Sequence, residues 1–423
     1  MIRTKKLLDA VSETDYDPNS MPVDQARSLI RRFLQPIAGS ERLPVRAALG
    51  RILAEEVISP LAVPGHDNSA MDGYAFRHAD LAGSGETVLQ SLGESFAGHP
   101  FGGTVGAGQC VRIFTGAVMP SGTDTVVMQE QVRVDATGVH VPAGLREGQN
   151  RRRAGDDIKA GARVFAAGQL IRPAELGMLA SLGVVEIEVK RRLRVACFST
   201  GDELRPVGSP LAPGQIHDSN RYTLYGMLTR LNCEVLDLGV VPDQPERLEA
   251  ALRSASQCAD VVLTSGGVSV GDADYVKDVL ARLGEVLFWK IAMKPGRPLA
   301  YGRVGDAHFF GLPGNPVAVM VSFYEFVREA LLLLQGQVPV SQLPTFRVPC
   351  STPIKKAPGR TEFQRGVLEP AADGGWTVRV TGDQSSGILS SMSLANCFIV
   401  LPVEQGNVSS GNMVEVKLLE GLI

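Results

Sequence analysis

The chain has 423 residues, which at about 150 residues per domain gives two to four domains. Its 44% hydrophobic and 21% charged residues are the balance of an ordinary soluble globular protein. A net charge of −3 argues against nucleic acid or an anionic membrane as the main partner, and the lone basic run Arg151-Arg152-Arg153 is too short to change that.

Residues 1–21 carry basic side chains but no apolar core long enough for a secretory signal, and read as a flexible extension. Residues 22–60 read as helical, with apolar positions at helical spacing in PVDQARSLIRRFLQPI and VRAALGRILAEEVISP. From 61 to about 148 short apolar runs alternate with glycine, the pattern of a β-rich module. Residues 149–190 hold NRRRAGDDIKAG and a predicted helix RPAELGMLASLGV, with Pro173 in its first turn. Between 191 and 335 apolar strands alternate with helical patterns, which predicts βαβ units and a parallel sheet covered on both faces. The apolar segment 317–334 is interrupted by Glu325, Arg328 and Glu329, so it reads as a buried helix and not as a membrane span. Residues 345–423 return to short strands and turns, a small β domain of barrel type. Six scattered cysteines, with no CxxC pair and no nearby histidine, read as reduced, mostly buried thiols of a cytoplasmic protein.

In an open parallel sheet, ligands bind beyond the carboxyl ends of the strands. Five predicted strand ends here carry glycine or proline with polar side chains: STGDEL at 199–204, VPD at 241–243, TSGGVSVGDADY at 264–275, MKPGRP at 293–298 and LPGNP at 312–316. Five together predict a cleft. In the third, the hydroxyls and backbone N–H groups of Ser265, Gly266, Gly267 and Ser269 suit a phosphate. The loop is neither a Walker A nor a GxGxxG fingerprint. Acids beside an anion repel it unless a cation intervenes, so Asp272 and Asp274 point to Mg²⁺ bridging to phosphate, with Asp243 and Glu203 as further ligands. For Asp272 alone a helix cap is an equal or better reading. Lys290, Lys294 and Arg297 surround a Pro-Gly turn, and KIAMK spacing places Lys290 and Lys294 on one strand face, which suits anion binding if the cleft forms and otherwise reads as solvated surface lysines. Pro313 and Pro316 would stiffen the last strand-end loop, although a helix start explains Pro316 equally well.

Outside the sheet, turn chemistry accounts for Asp67, Asn68 and Gly73 in DNSAMDGYAFR, but less well for the whole set. Thr115 and Gly116 fall at a strand end. The arginine triplet beside Asp156 and Asp157 reads as a solvated, salt-bridged loop.

Taken together, DNSAMDGYA, RIFTGAVMP, VVMQE, NRRRAGDDI, FSTGDEL, TSGGVSVGDADY, MKPGRP and GLPGNP resemble the MoeA family of molybdopterin molybdenumtransferases, in order, from about residue 22 to the end. The gephyrin and plant Cnx1 E domains look alike. The resemblance implies a multidomain α/β plus β protein. A central doubly wound, mostly parallel α/β domain (191–340) would bind molybdopterin, beside an elongated helical domain from two segments (22–63 and 149–190), an inserted β domain (64–148) and a C-terminal β-barrel (341–423). It implies a homodimer with an active site between subunits, and a reaction of adenylylated molybdopterin with molybdate and Mg²⁺ that yields molybdenum cofactor and AMP. The family's essential residues fall on Asp72, Thr115, Asp157, Glu203, Asp243 and Asp274. Lys290, Lys294, Pro313 and Pro316 match its cleft, and Arg365 and Ser386 its residues near the oxyanion. An adenylyltransferase one step earlier, itself a possible partner, and a gephyrin-like scaffold are the rival readings. The inserted segments with Asp72 and Thr115 count against the first, and the intact acid set favours catalysis over the second.

Overall fold

The computed structural model describes residues 20–267 and 275–419. At the amino end the helix Val23–Arg31 buries Val23, Ala26, Leu29 and Ile30, one face at helical spacing. The helical reading fails after it. The only helical turn in residues 45–60 is the 3₁₀ turn at Val45–Ala47, because Gly50 takes a φ of 72° and the apolar residues beyond it pair across strands, Val57–Ile58 with Arg163–Phe165. Ile52 bridges to Leu170 and Leu53 to Val189. Strand Ser40–Pro44 pairs antiparallel with Glu186–Lys190, so two segments distant in sequence form one unit. Met21, expected in a flexible extension, is fully buried, and its backbone pairs with Lys290 and Ala292.

The inserted module is a six-stranded mixed sheet in which Gly73–Phe76 lies between Thr125–Met128 and Gln109–Ile113. Gly73 has no room for a side chain, since a Cβ there would lie 1.8 Å from the Val127 carbonyl oxygen.

The α/β unit follows the predicted alternation: β1 Arg194–Thr200, α1 Asn220–Arg230, β2 Glu234–Val241, α2 Pro245–Cys258, β3 Val261–Ser265, α3 Tyr275–Leu283, β4 Gly284–Lys290, β5 Pro298–Val304 and β6 Ala307–Leu312. The sheet order is β2-β1-β3-β6-β5-β4, with the first four strands parallel. The sequence reading missed β5. It forms antiparallel pairs with β4 and β6, so β4 sits at the edge beyond it. Side chains alternate across the sheet as a pleat requires. Val195, Cys197, Val261 and Leu263 join a core shared with α1 and the 316–334 helix, while Ala196, Phe198 and Val262 pack against α2 and α3. The 317–334 segment is a buried helical run as expected, with a π-helical stretch at Phe323–Val327 in its middle. No helix among the described residues is long and apolar enough to cross a membrane.

The C-terminal sheet runs from Thr345–Pro349 through Met413–Leu418 and Cys397–Leu401 to Thr361–Pro370, which also pairs with Trp376–Val380. A bridge from Cys350 to Val378 brings the first and last of these strands back together. Of the six free cysteines, five are buried and Cys258 is exposed.

Candidate active site

Beyond the carboxyl ends of the strands lies a cavity of about 1100 Å³. β1 delivers Thr200, whose hydroxyl donates to the carboxylate of Asp243 just past β2. Glu203, exposed on the loop after β1, lines the same cavity. Past β3, Ser265, Gly266 and Gly267 form one wall. Gly266 has a φ of 88°, and a Cβ there would lie 2.3 Å from the Thr200 carbonyl oxygen, so the backbone passes where no side chain fits. Past β6, Pro313 and Pro316 contribute, and Ser386 enters from the C-terminal unit. Lys294 and Arg297 supply the cations. The Lys294 ammonium is half exposed and lies 3.6 Å from Glu362, which is buried.

Two lining residues carried no sequence signal that singled them out. Asn220, the first residue of α1, donates its amide to Ser265 Oγ at 2.8 Å and to the Gly314 carbonyl at 2.7 Å, tying three strand-end loops together. Because a carbonyl can only accept, this orientation of the amide is fixed. Its Oδ1 is buried with no partner among the described residues. Asp218, 1% exposed, accepts from Ser199 Oγ at 3.0 Å and from the Arg221 backbone N–H and Nε at 3.2 and 3.1 Å. The DSN run at 218–220 looks like ordinary helix-cap chemistry, which conceals both roles.

Other expected residues lie elsewhere. Lys290 and Lys294 do not share a strand face. β4 stops at Lys290, and Met293–Lys294 leaves that sheet to pair with Thr361–Glu362 of the C-terminal one. Lys290 is outside the cavity lining. Arg365 is also outside it, fully buried, and burial lowers its pKa to about 10. Ser269, Asp272 and Asp274 lie outside the described residues. Asp72, Thr115 and Asp157 do not line the cavity. Asp72 and Thr115 do meet each other: the carboxylate accepts the Thr115 backbone N–H and hydroxyl, each at 2.7 Å, and the backbone bond first, then the hydroxyl, holds its pKa below the ordinary 3.8. Asp157 is exposed, and its N–H bonds the Val63 carbonyl at 3.1 Å. The arginine triplet pairs through Arg151 with Asp67, while the Arg153 N–H bonds the Asp156 carboxylate at 2.7 Å.

These features define the class: a multidomain α/β protein whose polar cleft, at the carboxyl ends of an open sheet, presents acids, cations and a glycine-opened loop. Three family descriptions match it in order: MoeA N-terminal region (domain I and II) over residues 21–183, probable molybdopterin binding domain over 196–332, and MoeA C-terminal region (domain IV) over 347–419. The chain is 46% identical over 404 residues to a molybdopterin molybdenumtransferase of Haemophilus influenzae, covering 95% of this chain and all of that one. It is 38% identical to one from Nostoc, covering 90% of this chain and 89% of the relative. The crystal structure of a molybdopterin biosynthesis MoeA protein from Pyrococcus horikoshii OT3 matches with a TM-score of 0.82 at 29% identity, over 95% of this chain and all of that one. The chain belongs to the molybdopterin molybdenumtransferase family, transferases of molybdenum cofactor biosynthesis.

Proposed function

We propose that this chain takes molybdate and adenylylated molybdopterin and forms molybdenum cofactor, with release of AMP. The observation that carries this reading is the convergence of Glu203, Asp243, Lys294, Pro313, Pro316 and Ser386 on one 1100 Å³ cavity, from strand ends and a neighbouring domain.

The Ser265–Gly267 turn offers its hydroxyl and backbone N–H groups to the phosphates, and Asn220 holds that turn in place. Lys294 and Arg297 balance the anionic charge of molybdate and phosphate. Glu203 and Asp243 present only oxygen donors on the cavity wall, the set that fits Mg²⁺, which takes one or two carboxylates with substrate phosphates and water. Among the described residues no group of three His, Cys, Asp or Glu side chains is placed to hold a metal ion, Asp218 of the same wall being engaged by Ser199 and Arg221, and Asp274 is the further ligand that the family resemblance implies. Bound there, Mg²⁺ would lower the cost of negative charge on the leaving phosphate. His217 lines the cavity with its Nδ1 against the Pro206 carbonyl at 3.2 Å, and we read fixed charge and alignment, not a general base, as carrying the rate.

Asp72 and Thr115 belong to the inserted sheet, outside this lining, which supports a homodimer in which the partner subunit's pair completes the cleft. The domain boundaries 22–63 with 149–190, 64–148, 191–340 and 341–423 are supported by the pairing of Ser40–Pro44 with Glu186–Lys190. Asp157 is assigned a role with that pair, and Lys290 a charge near the cleft. The C-terminal sheet is read as a barrel closed at Cys350 and Val378. We place the protein in the cytoplasm.

Purified chain given adenylylated molybdopterin is expected to release AMP only when molybdate is added. Release of AMP from ATP and free molybdopterin would overturn the reading in favour of the earlier adenylylation step.

A further inference from the structure

The chain that leaves β1 returns to the cleft at His217. Leu204–Arg205 and Ile216–His217 form a short parallel pair. The Ile216 N–H donates to the Glu203 carbonyl at 2.9 Å and the Asp218 N–H to the Arg205 carbonyl at 3.1 Å. Asp218 is itself buried against Ser199 and Arg221. The backbone of His217 is thus held on both sides, and the residue, exposed, lines the large cavity.

The ring is held as well. Its Nδ1 lies 3.2 Å from the Pro206 carbonyl. A carbonyl can only accept, so Nδ1 carries a proton in either charge state of the ring. Pro206 is outside the cavity lining, which leaves Nε2 as the polar atom that His217 can offer to the cavity. Among the described residues Nε2 has no hydrogen-bond partner. With Nδ1–H fixed, a neutral imidazole shows a lone pair there and an imidazolium shows an N–H. The first repels a phosphate oxygen and the second binds it.

The charged groups nearby have other engagements. Arg205, on the paired strand, gives its guanidinium to the Asp202 and Leu204 carbonyls at 3.0 and 2.7 Å. Asp202 and Glu203 stand on the loop before that strand, and Asp243, elsewhere in the lining with Lys294 and Arg297, takes the Thr200 hydroxyl. No carboxylate among the described residues pairs with the His217 ring.

We propose that His217 binds substrate: its Nε2–H donates to a phosphate of the adenylylated molybdopterin, adding to Lys294 and Arg297 a cation that is lost as pH rises. It acts on binding and not as a base. This rests on the molybdate-transfer reading above.

The test follows KM and kcat of the full-length protein for adenylylated molybdopterin between pH 5.5 and 8, where histidines change charge and a diphosphate diester does not. The wild-type KM is expected to rise about tenfold across that span, the loss of one charge-assisted hydrogen bond, with kcat changing less. His217→Gln should keep KM flat near the wild-type value at pH 8, and His217→Arg should keep it flat near the low-pH value. A merely structural role would move stability or kcat and leave the pH slope of KM in place, so equal slopes in wild type and His217→Gln would overturn the proposal. A second readout needs no turnover. In protein labelled with ¹⁵N-histidine, the His217 ring should be protonated at Nδ1 at pH 8, and its Nε2 resonance should shift when ADP-ribose, a diphosphate ester of adenosine, is added at pH 6. A ring protonated at Nε2 at pH 8 would sink the proposal. Cofactor formation with an Nε2 that ignores ADP-ribose keeps the functional reading and removes His217 from it. A shifted Nε2 in protein that forms no cofactor at any pH keeps the phosphate contact and overturns molybdate transfer. If neither is seen, both fall.

Discussion

The Asp72 carboxylate takes two hydrogen bonds from one residue, the backbone N–H and the hydroxyl of Thr115, both at 2.7 Å. Each bond favours the charged form, so Asp72 stays ionised to a lower pH than an ordinary aspartate. Thr115→Val keeps the backbone bond and loses the other. Its Asp72 carboxyl resonance should titrate at higher pH than in the wild type, while still below the ordinary 3.8. Asp72→Asn should lower turnover by about 10²-fold, within the usual range for a positioned carboxylate, without changing thermal stability or oligomeric state. An unchanged turnover would remove Asp72 from the mechanism.

Three parts of the chain meet on Glu325, in the π-helical stretch. Its fully buried carboxylate accepts from Arg27 Nη2 at 2.6 Å and from Lys417 Nζ at 2.7 Å, joining the N-terminal helix, the α/β unit and the C-terminal sheet. A buried ion pair adds little net stability over an apolar substitute, but removing one partner strands the others. Glu325→Ala is expected to cost about 3–5 kcal/mol in urea unfolding. Lys417→Met should cost less, because Arg27 still neutralises the acid. Equal costs would mean that the two cations do not share the charge.

The strand ends were legible because each apolar run breaks into glycine, proline and polar residues, and only the sheet's architecture was needed to bring them together. β5 was hidden because PLAYGRV begins at a proline after PGR and reads as the tail of a turn. The supposed helix at 45–60 has a genuine helical apolar spacing, but tertiary pairing with Leu170 and Val189 overrides it. Asn220 was invisible for another reason. Its partners are the backbone of Gly314 and the Ser265 hydroxyl, groups that no local pattern connects to it. Asp72 and Thr115 were each singled out only by the family resemblance, and the fold alone pairs them, since 43 residues separate them in sequence.

His308, in β6, is buried behind Tyr301, whose hydroxyl lies 3.4 Å from its Nδ1. Burial, with a smaller push from Arg303, lowers its pKa from 6.5 to about 4. The folded protein therefore holds it neutral where the unfolded chain takes up a proton. Its contribution to stability is fully present above pH 6.5, falls between 6.5 and 4, and is gone below about 4. At about 1.4 kcal/mol per pH unit this is worth roughly 3 kcal/mol. Urea midpoints at pH 7, 5.5 and 4.5 should fall more steeply for the wild type than for His308→Gln. Parallel slopes would show that His308 titrates normally in the fold.

Asn220 should separate binding from folding. Asn220→Ala leaves the Gly314 carbonyl and Ser265 hydroxyl without the amide that joins them, at a cost of about 1–2 kcal/mol in stability. The larger effect falls on the phosphate turn, because Ser265 is then no longer held against the 314 loop. KM for the adenylylated substrate should rise about tenfold, the loss expected for one misaligned hydrogen-bonding group, with kcat changed much less. Asn220→Asp is the sharper variant. It keeps the shape but turns the bond to the Gly314 carbonyl into a contact between acceptors, makes the Ser265 hydroxyl the donor in the other, and sets a negative charge beside the phosphates. It should raise KM further than alanine does, and more so at low salt. If the two variants behave alike, Asn220 acts only by filling space.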